Sequence, residues 1–205
     1  EHMLFMGSKK YPEEDGFFHR VADSGGSANA YTWTDRTVYA FSSNHKQFCQ
    51  NLDVFAHFFI DPLFNKGSVQ RELCAVNQEF AKNIQNDGWR EWQIVKETGN
   101  QNHPNSKFST GNEDTLRLIP IETLANWYGL HYSADRMHLV VYTNQDLSVM
   151  RDIINQSFHT VPKANAPSIP FDQVLSEDQK GSVTYIEPIR DLRSISFTWE
   201  MSPEV

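Results

Sequence analysis

The chain has 205 residues, of which 39% are hydrophobic, 13% aromatic and 21% charged, enough for one good core or for one domain and part of another. A net charge of -8 with a pI near 5.4 argues against nucleic acid as a partner, because phosphate binding needs a concentrated basic surface and the one local basic cluster is Lys9-Lys10. No apolar run approaches the roughly 18 residues of a membrane span, and the start carries no basic region followed by an apolar leader, so neither a membrane nor secretion is expected.

In chain order, residues 1–6 read as the end of a helix, with Gly7 as its stop. Tyr11-Pro12-Glu13-Glu14-Asp15 reads as a helix start, with proline early and acids in the first turn, ahead of Phe17, Phe18 and Val21. The β-branched and aromatic run "SANAYTWTDRTVYAFSS" predicts strands at 29–33 and 37–42 around a turn at Thr34-Asp35-Arg36. Helical period returns at 46–60, where Leu52, Phe55, Ala56 and Phe59 form one apolar stripe. A long helix is predicted over 68–97, burying Val69, Leu73, Val76, Phe80 and Ile84, with Gly88 as a weak point. Residues 98–115, rich in Asn, Gly, Ser and Thr, read as a long surface loop. Helices follow at 121–134, with Leu124, Trp127 and Leu130, and at 146–158, with a strand at 138–143 between them. The proline-rich stretch 160–170 reads as a linker, and alternating runs at 182–189 and 194–201 read as strands. The expected class is therefore α/β or α+β, a two-layer arrangement of helices on a mixed, mostly antiparallel sheet. Cys49 and Cys74 lack C-x-x-C spacing and fall on predicted helices, so reduced, buried thiols and a cytoplasmic setting are expected.

Two places carry candidate chemistry. Glu72 and Glu79 stand seven residues apart on the long helix, nearly two turns, so their carboxylates fall on one line beside the apolar stripe. The helix alone reads best as bearing two solvated acids. Glu1-His2 is half of a zinc-peptidase signature, since zinc suits imidazole and carboxylate ligands and a nearby Glu can act as general base. As an isolated pair it reads equally as chance or as a cloning remnant. The remaining histidines show no ligand spacing, and Trp89, Trp92 and Phe108 read as packing residues.

Taken together, these segments resemble the insulinase (pitrilysin-type, M16) family of zinc metallopeptidases, most closely the insulin-degrading-enzyme branch. The family signature is His-x-x-Glu-His, continued as Met-Leu-Phe-x-Gly and Lys-Tyr-Pro, and "EHMLFMGSKKYP" matches that continuation. The resemblance runs on through "GGSANAYT", "FAHFFIDPLF", "RELCAVNQEFAKN", "HPNSKFSTGN" and "YIEPIRDLRSISFTW", in order, over nearly the whole chain.

The resemblance implies a role for each matched residue. Glu1 would be the general base that deprotonates a zinc-bound water, His2 and Glu79 zinc ligands, and Glu72 the carboxylate that orients a ligand. The family's first ligand, a His three positions before Glu1, falls outside these 205 residues. Asn29, Ala30 and Tyr31 would line an edge strand to which a peptide adds by backbone pairing; apart from the family they read as an ordinary strand. Family members of this branch hold four similar domains in two halves that enclose a chamber. On that pattern, residues 1–165 are a truncated first domain, and 166–205 are the linker and opening strands of the second. The implied activity is zinc-dependent endopeptidase action on short polypeptides, with peptide substrates and the remaining domains of the same chain as partners and a homodimer as one assembly. With two of three ligands, the 205 residues alone are expected to bind zinc weakly and to be inactive. The competing readings are a non-catalytic structural relative and a peptide-binding module without chemistry.

Overall fold

A computed structural model describes residues 1–165, 173–175 and 177–201. The chain forms two compact units, Glu1–Glu72 with Leu118–Pro167, and Leu73–Arg117 with Ser168–Val205.

The first unit is built on aromatic residues. Its N-terminal 3-10 turn, His2–Phe5, buries Met3, Leu4 and Phe5. Helix α1 (Gly16–Asp23) follows, then strands β1 (Ala28–Thr32) and β2 (Thr37–Phe41), and then helix α2 (Phe48–Ile60). α2 packs on α1 and on the N-terminal turn. Its expected stripe is buried at Leu52, Phe55 and Ala56, yet Val54 and Phe58 are buried as well, because α2 is covered on more than one side. Phe58 is the hub of the core, with rings at 4.9 Å (Phe17), 5.2 Å (Phe5) and 5.5 Å (Phe55). The two nearer contacts are edge-on, the geometry that ring quadrupoles favour. Helices α6 (Ile121–His131) and α7 (Leu147–Phe158) complete the unit; α7 packs on α2, and Tyr128 of α6 donates to the Phe58 carbonyl at 2.9 Å.

Two glycines are required by geometry. Gly7 has φ +95° where the chain turns against Pro12. A Cβ on Gly26 would lie 1.9 Å from the Ser42 carbonyl oxygen, so only glycine fits where the chain enters β1. β1 and β2 pair antiparallel with Ala28 opposite Phe41 and Thr32 opposite Thr37, and this two-stranded ladder is the only sheet among the described residues.

Helix α3 (Lys66–Asn83) leads into the second unit, which contains helix α4 (Asp87–Thr98), a 3-10 turn at Pro104–Ser106, helix α5 (Glu113–Leu116) and a 3-10 turn at Glu177–Gln179.

Several expectations are corrected. The helix expected from Tyr11 starts at Gly16, because Asp15 is left-handed at φ 58° and Glu14 reaches to Ser68 and Arg71 instead of serving a first turn. The single helix of 68–97 is two, and the break lies at Asn86 and not at Gly88. The Asn86 side chain accepts from the Gly88 and Trp89 amides, starting α4 afresh. Ile84, at that break, is exposed, as are Trp127 and Leu130. The loop of 98–115 contains one 3-10 turn and the start of α5. The segments 138–143, 182–189 and 194–201 form no ladder among the described residues. Alternation marks a segment able to be a strand, but only a partner's backbone makes it one. Cys49 and Cys74 are free, as expected, but exposed instead of buried. No helix among the described residues is long and apolar enough to cross a membrane.

Candidate active site

Glu1 and His2 are held against the hairpin and the start of α3. The His2 ring reaches across the fold: its Nδ1 lies 2.7 Å from Glu72 Oε2, across 70 positions of sequence. The Glu72 side chain is 20% exposed, so the contact is partly shielded from water. On the other side, Thr32 at the end of β1 donates its hydroxyl to the Glu1 carboxylate. The Thr37 hydroxyl lies 3.2 Å from that of Thr32, as their opposed positions in the ladder require. Tyr39 of β2 donates to the Glu1 backbone carbonyl at 3.3 Å, and its hydroxyl lies 2.8 Å from that of Tyr132. Burial, then the adjacent Tyr132, push the Tyr39 phenol far above its ordinary range, and burial raises Tyr132 as well, so both stay protonated.

Among the residues singled out from sequence, the structure joins His2 to Glu72. Glu79 lies further along α3, exposed, in the second unit. Among the described residues no three His, Cys, Asp or Glu side chains converge as a metal site. Asn29 and Tyr31 are exposed on β1, and Ala30 is half-buried. Tyr31 packs edge-on to Trp33 at 6.4 Å. Among the described residues β1 has a ladder partner on one edge only, so its other edge offers backbone donors and acceptors.

The donor set fits zinc. Imidazole and carboxylate are ligands zinc prefers. A ring nitrogen held by a carboxylate fixes the ring's orientation and tautomer, directing the opposite nitrogen toward a metal.

Sequence reasoning missed Thr32, Thr37, Tyr39 and Tyr132. The first two were within reach: a four-residue connection between strands opposes Thr32 and Thr37, and threonines so opposed share hydroxyls. Nothing local announces that Tyr132 meets Tyr39.

A strand edge thus lies beside a Glu-His pair whose imidazole meets a distant carboxylate. The model of "Insulinase (Peptidase family M16)" matches residues 1–104, and that of "Peptidase M16 inactive domain" matches residues 119–204. The chain belongs to the insulinase family, peptidase family M16. It is 39% identical over 214 residues to "Insulin-degrading enzyme-like 1, peroxisomal" of Arabidopsis thaliana, a match covering 100% of this chain and 22% of that protein. It is 36% identical over 203 residues to the insulin-degrading enzyme of Homo sapiens, covering 95% of this chain and 20% of that protein. Among solved structures, the crystal structure of pitrilysin superposes with a TM-score of 0.81 at 34% identity, covering 87% of this chain and 20% of that one. The chain thus spans about a fifth of the length of the curated relatives it matches.

Proposed function

We propose that the protein bearing this chain is a zinc-dependent endopeptidase acting on short polypeptides. The observation that carries this reading is the 2.7 Å contact between His2 Nδ1 and Glu72 Oε2, which supports reading His2 as a metal ligand in the insulinase family. His2 and Glu79 would hold the metal together with a ligand from outside these residues, and Glu72 orients the His2 ring. Zinc, when bound, supplies Lewis acidity toward the scissile carbonyl and the attacking water. Glu1 accepts the proton of that water and passes it on to the leaving amine. The substrate lies along β1, where Asn29, Ala30 and Tyr31 meet it and the backbone supplies the pairing.

We place the remaining expectations alongside this reading. Residues 1–165 would belong to a first domain and 166–205 to the linker and opening strands of a second. The rest of the longer protein would be its partner in enclosing substrate. The cytoplasm is the compartment, on the strength of two free thiols.

The test is Glu1→Gln in the complete protein, which keeps the shape and removes the base. Turnover of a quenched fluorescent peptide should fall by about 10²-fold or more while zinc content stays at the wild-type level. Retention of turnover would falsify the assignment of Glu1. A polypeptide of these 205 residues alone supplies His2 and Glu79 as its two assigned ligands, so calorimetry should show weak zinc binding. Tight one-to-one binding would sink the ligand assignment.

A further inference from the structure

The carboxylate of Glu1 sits at the end of a run of hydroxyls. Its nearest neighbour is Thr32 Oγ1, which must be the donor because an ionised carboxylate only accepts. Thr32 has one proton, and it is spent on Glu1. The contact between Thr32 and Thr37 at 3.2 Å is therefore made by the Thr37 proton. Tyr39 gives its proton to the Glu1 backbone carbonyl at 3.3 Å, so its oxygen accepts from the Tyr132 hydroxyl 2.8 Å away. Each hydroxyl has one proton to give, so one run goes from Thr37 to Thr32 to the Glu1 carboxylate, and a second from Tyr132 to Tyr39 to the Glu1 backbone carbonyl. Aligned donors of this kind polarise one another and strengthen the final bond. The run is anchored on rigid parts. Thr32 and Thr37 stand opposite each other in the paired strands β1 and β2, and Tyr39 belongs to β2.

We propose that Thr32 is a positioning residue for Glu1, holding one carboxylate oxygen so that the other is presented to the water, with Thr37 keeping Thr32 in its donating orientation and Tyr39 holding the Glu1 backbone. This rests on the reading of Glu1 as the general base. Thr32 also terminates the strand proposed to receive the peptide, so one residue links substrate seating to the aim of the base. A base aimed badly costs rate and leaves binding intact, and that separates this role from a contact with the peptide.

The experiment uses the complete zinc-loaded protein and four variants: Thr32→Val, Thr32→Ser, Thr37→Val and Glu1→Gln/Thr32→Val. Thr32→Val should lower kcat by about 10- to 100-fold, with KM within about twofold and zinc content unchanged. Thr32→Ser, which restores the donor, should recover kcat to within about threefold of wild type. Thr37→Val, one step back in the run, should cost about fivefold in kcat. Thr32→Val should add nothing to the loss already caused by Glu1→Gln, since residues acting as a unit are not additive. The inference is overturned if Thr32→Val keeps wild-type kcat, if KM rises while kcat holds, if zinc is lost, or if Thr32→Ser is as poor as Thr32→Val. If Thr32→Val does not fold, the Thr32→Ser and Thr37→Val results decide. Glu1→Gln alone separates the two levels: an inactive Glu1→Gln beside an unimpaired Thr32→Val sinks the positioning role only, whereas an active Glu1→Gln sinks both.

Discussion

The two compact units are held by different physics. Every hydrophobic residue buried among the described residues belongs to the first unit: Met3 to Met6, Phe17, Val21, Leu52, Val54 to Ala56, Phe58 and Met150. In the second unit the only large buried side chain among the described residues is Lys96, 1% exposed. Its ammonium donates to the Lys107 carbonyl at 3.1 Å and to the Ser109 hydroxyl at 2.9 Å, and lies 3.9 Å from the centre of the Trp92 ring. Elsewhere in this unit, side chains bind backbone. The Asp87 carboxylate accepts the Ile189 and Arg190 amides at 2.8 and 3.2 Å, and Asn100 donates to the Gln173 carbonyl at 2.8 Å. Apolar burial fixes the first unit, whereas directed polar contacts fix the second. Burial is worth more in stability, and polar contacts specify geometry at small net gain.

The sharpest way to break the contrast is a matched pair of truncations. Phe58→Ala, in the first unit, should cost about 3 to 5 kcal/mol. Trp92→Ala, at a ring already 37% exposed, should cost only about 1 kcal/mol. Chemical denaturation followed by circular dichroism reads both, and equal losses would erase the distinction.

Lys96→Ala comes next, at about 1 to 2 kcal/mol, from lost charge-assisted bonds and the lost cation–ring contact. The damage should be local, seen as faster amide exchange near 107–109. Burial holds the Lys96 ammonium below its ordinary pKa. The unfolded chain therefore binds more protons between the folded and ordinary values, and the Lys96 contribution to stability rises with pH across that window. Lys96→Met should abolish that alkaline rise in a melting-temperature series.

Asn86→Ala should cost about 1 kcal/mol, the value of a helix cap, and should blur the boundary between α3 and α4 in secondary chemical shifts.

The smallest effect belongs to Asp53, at the edge of the first unit. Lys10 lies 2.6 Å from its carboxylate, and Tyr11 donates to it as well. Burial alone would raise the Asp53 pKa, but these two bonds outweigh it and hold the carboxyl below its ordinary value. The stability it adds is present above the ordinary carboxylate pKa and is lost as pH falls through the lower, folded value. Asp53→Asn should cost about 0.5 kcal/mol at neutral pH, with the difference from wild type vanishing in acid.

Legibility from sequence follows the same division. In the first unit the apolar stripe of α2 and the two strands of the hairpin were readable, because period and composition act within a dozen residues, whereas the register, Thr32 opposite Thr37, came one residue earlier than the expected turn implied. Even there the stripe was incomplete: Phe58 lies off it and became the centre of the core, since helices on several sides bury more than one face. In the second unit, Lys96 follows Ile94 and Val95 near the end of α4, and nothing in that local pattern marks it for burial. Its burial depends on a loop that folds back to offer a carbonyl and a hydroxyl. The segments 138–143 and 194–201 had strand composition but found no ladder among the described residues.

The sequence by itself determined the family, the Glu1-His2 pair, the helix that carries Glu72 and Glu79, and the strand of Asn29, Ala30 and Tyr31, because each is a contiguous pattern. Only the tertiary structure decided that His2 meets Glu72 across 70 positions and that the hydroxyls of Thr32 and Tyr39 reach Glu1 from two strands. Side-chain spacing along one element obeys a fixed period. Contacts between elements depend on how buried faces pack, and that is set by the whole core at once.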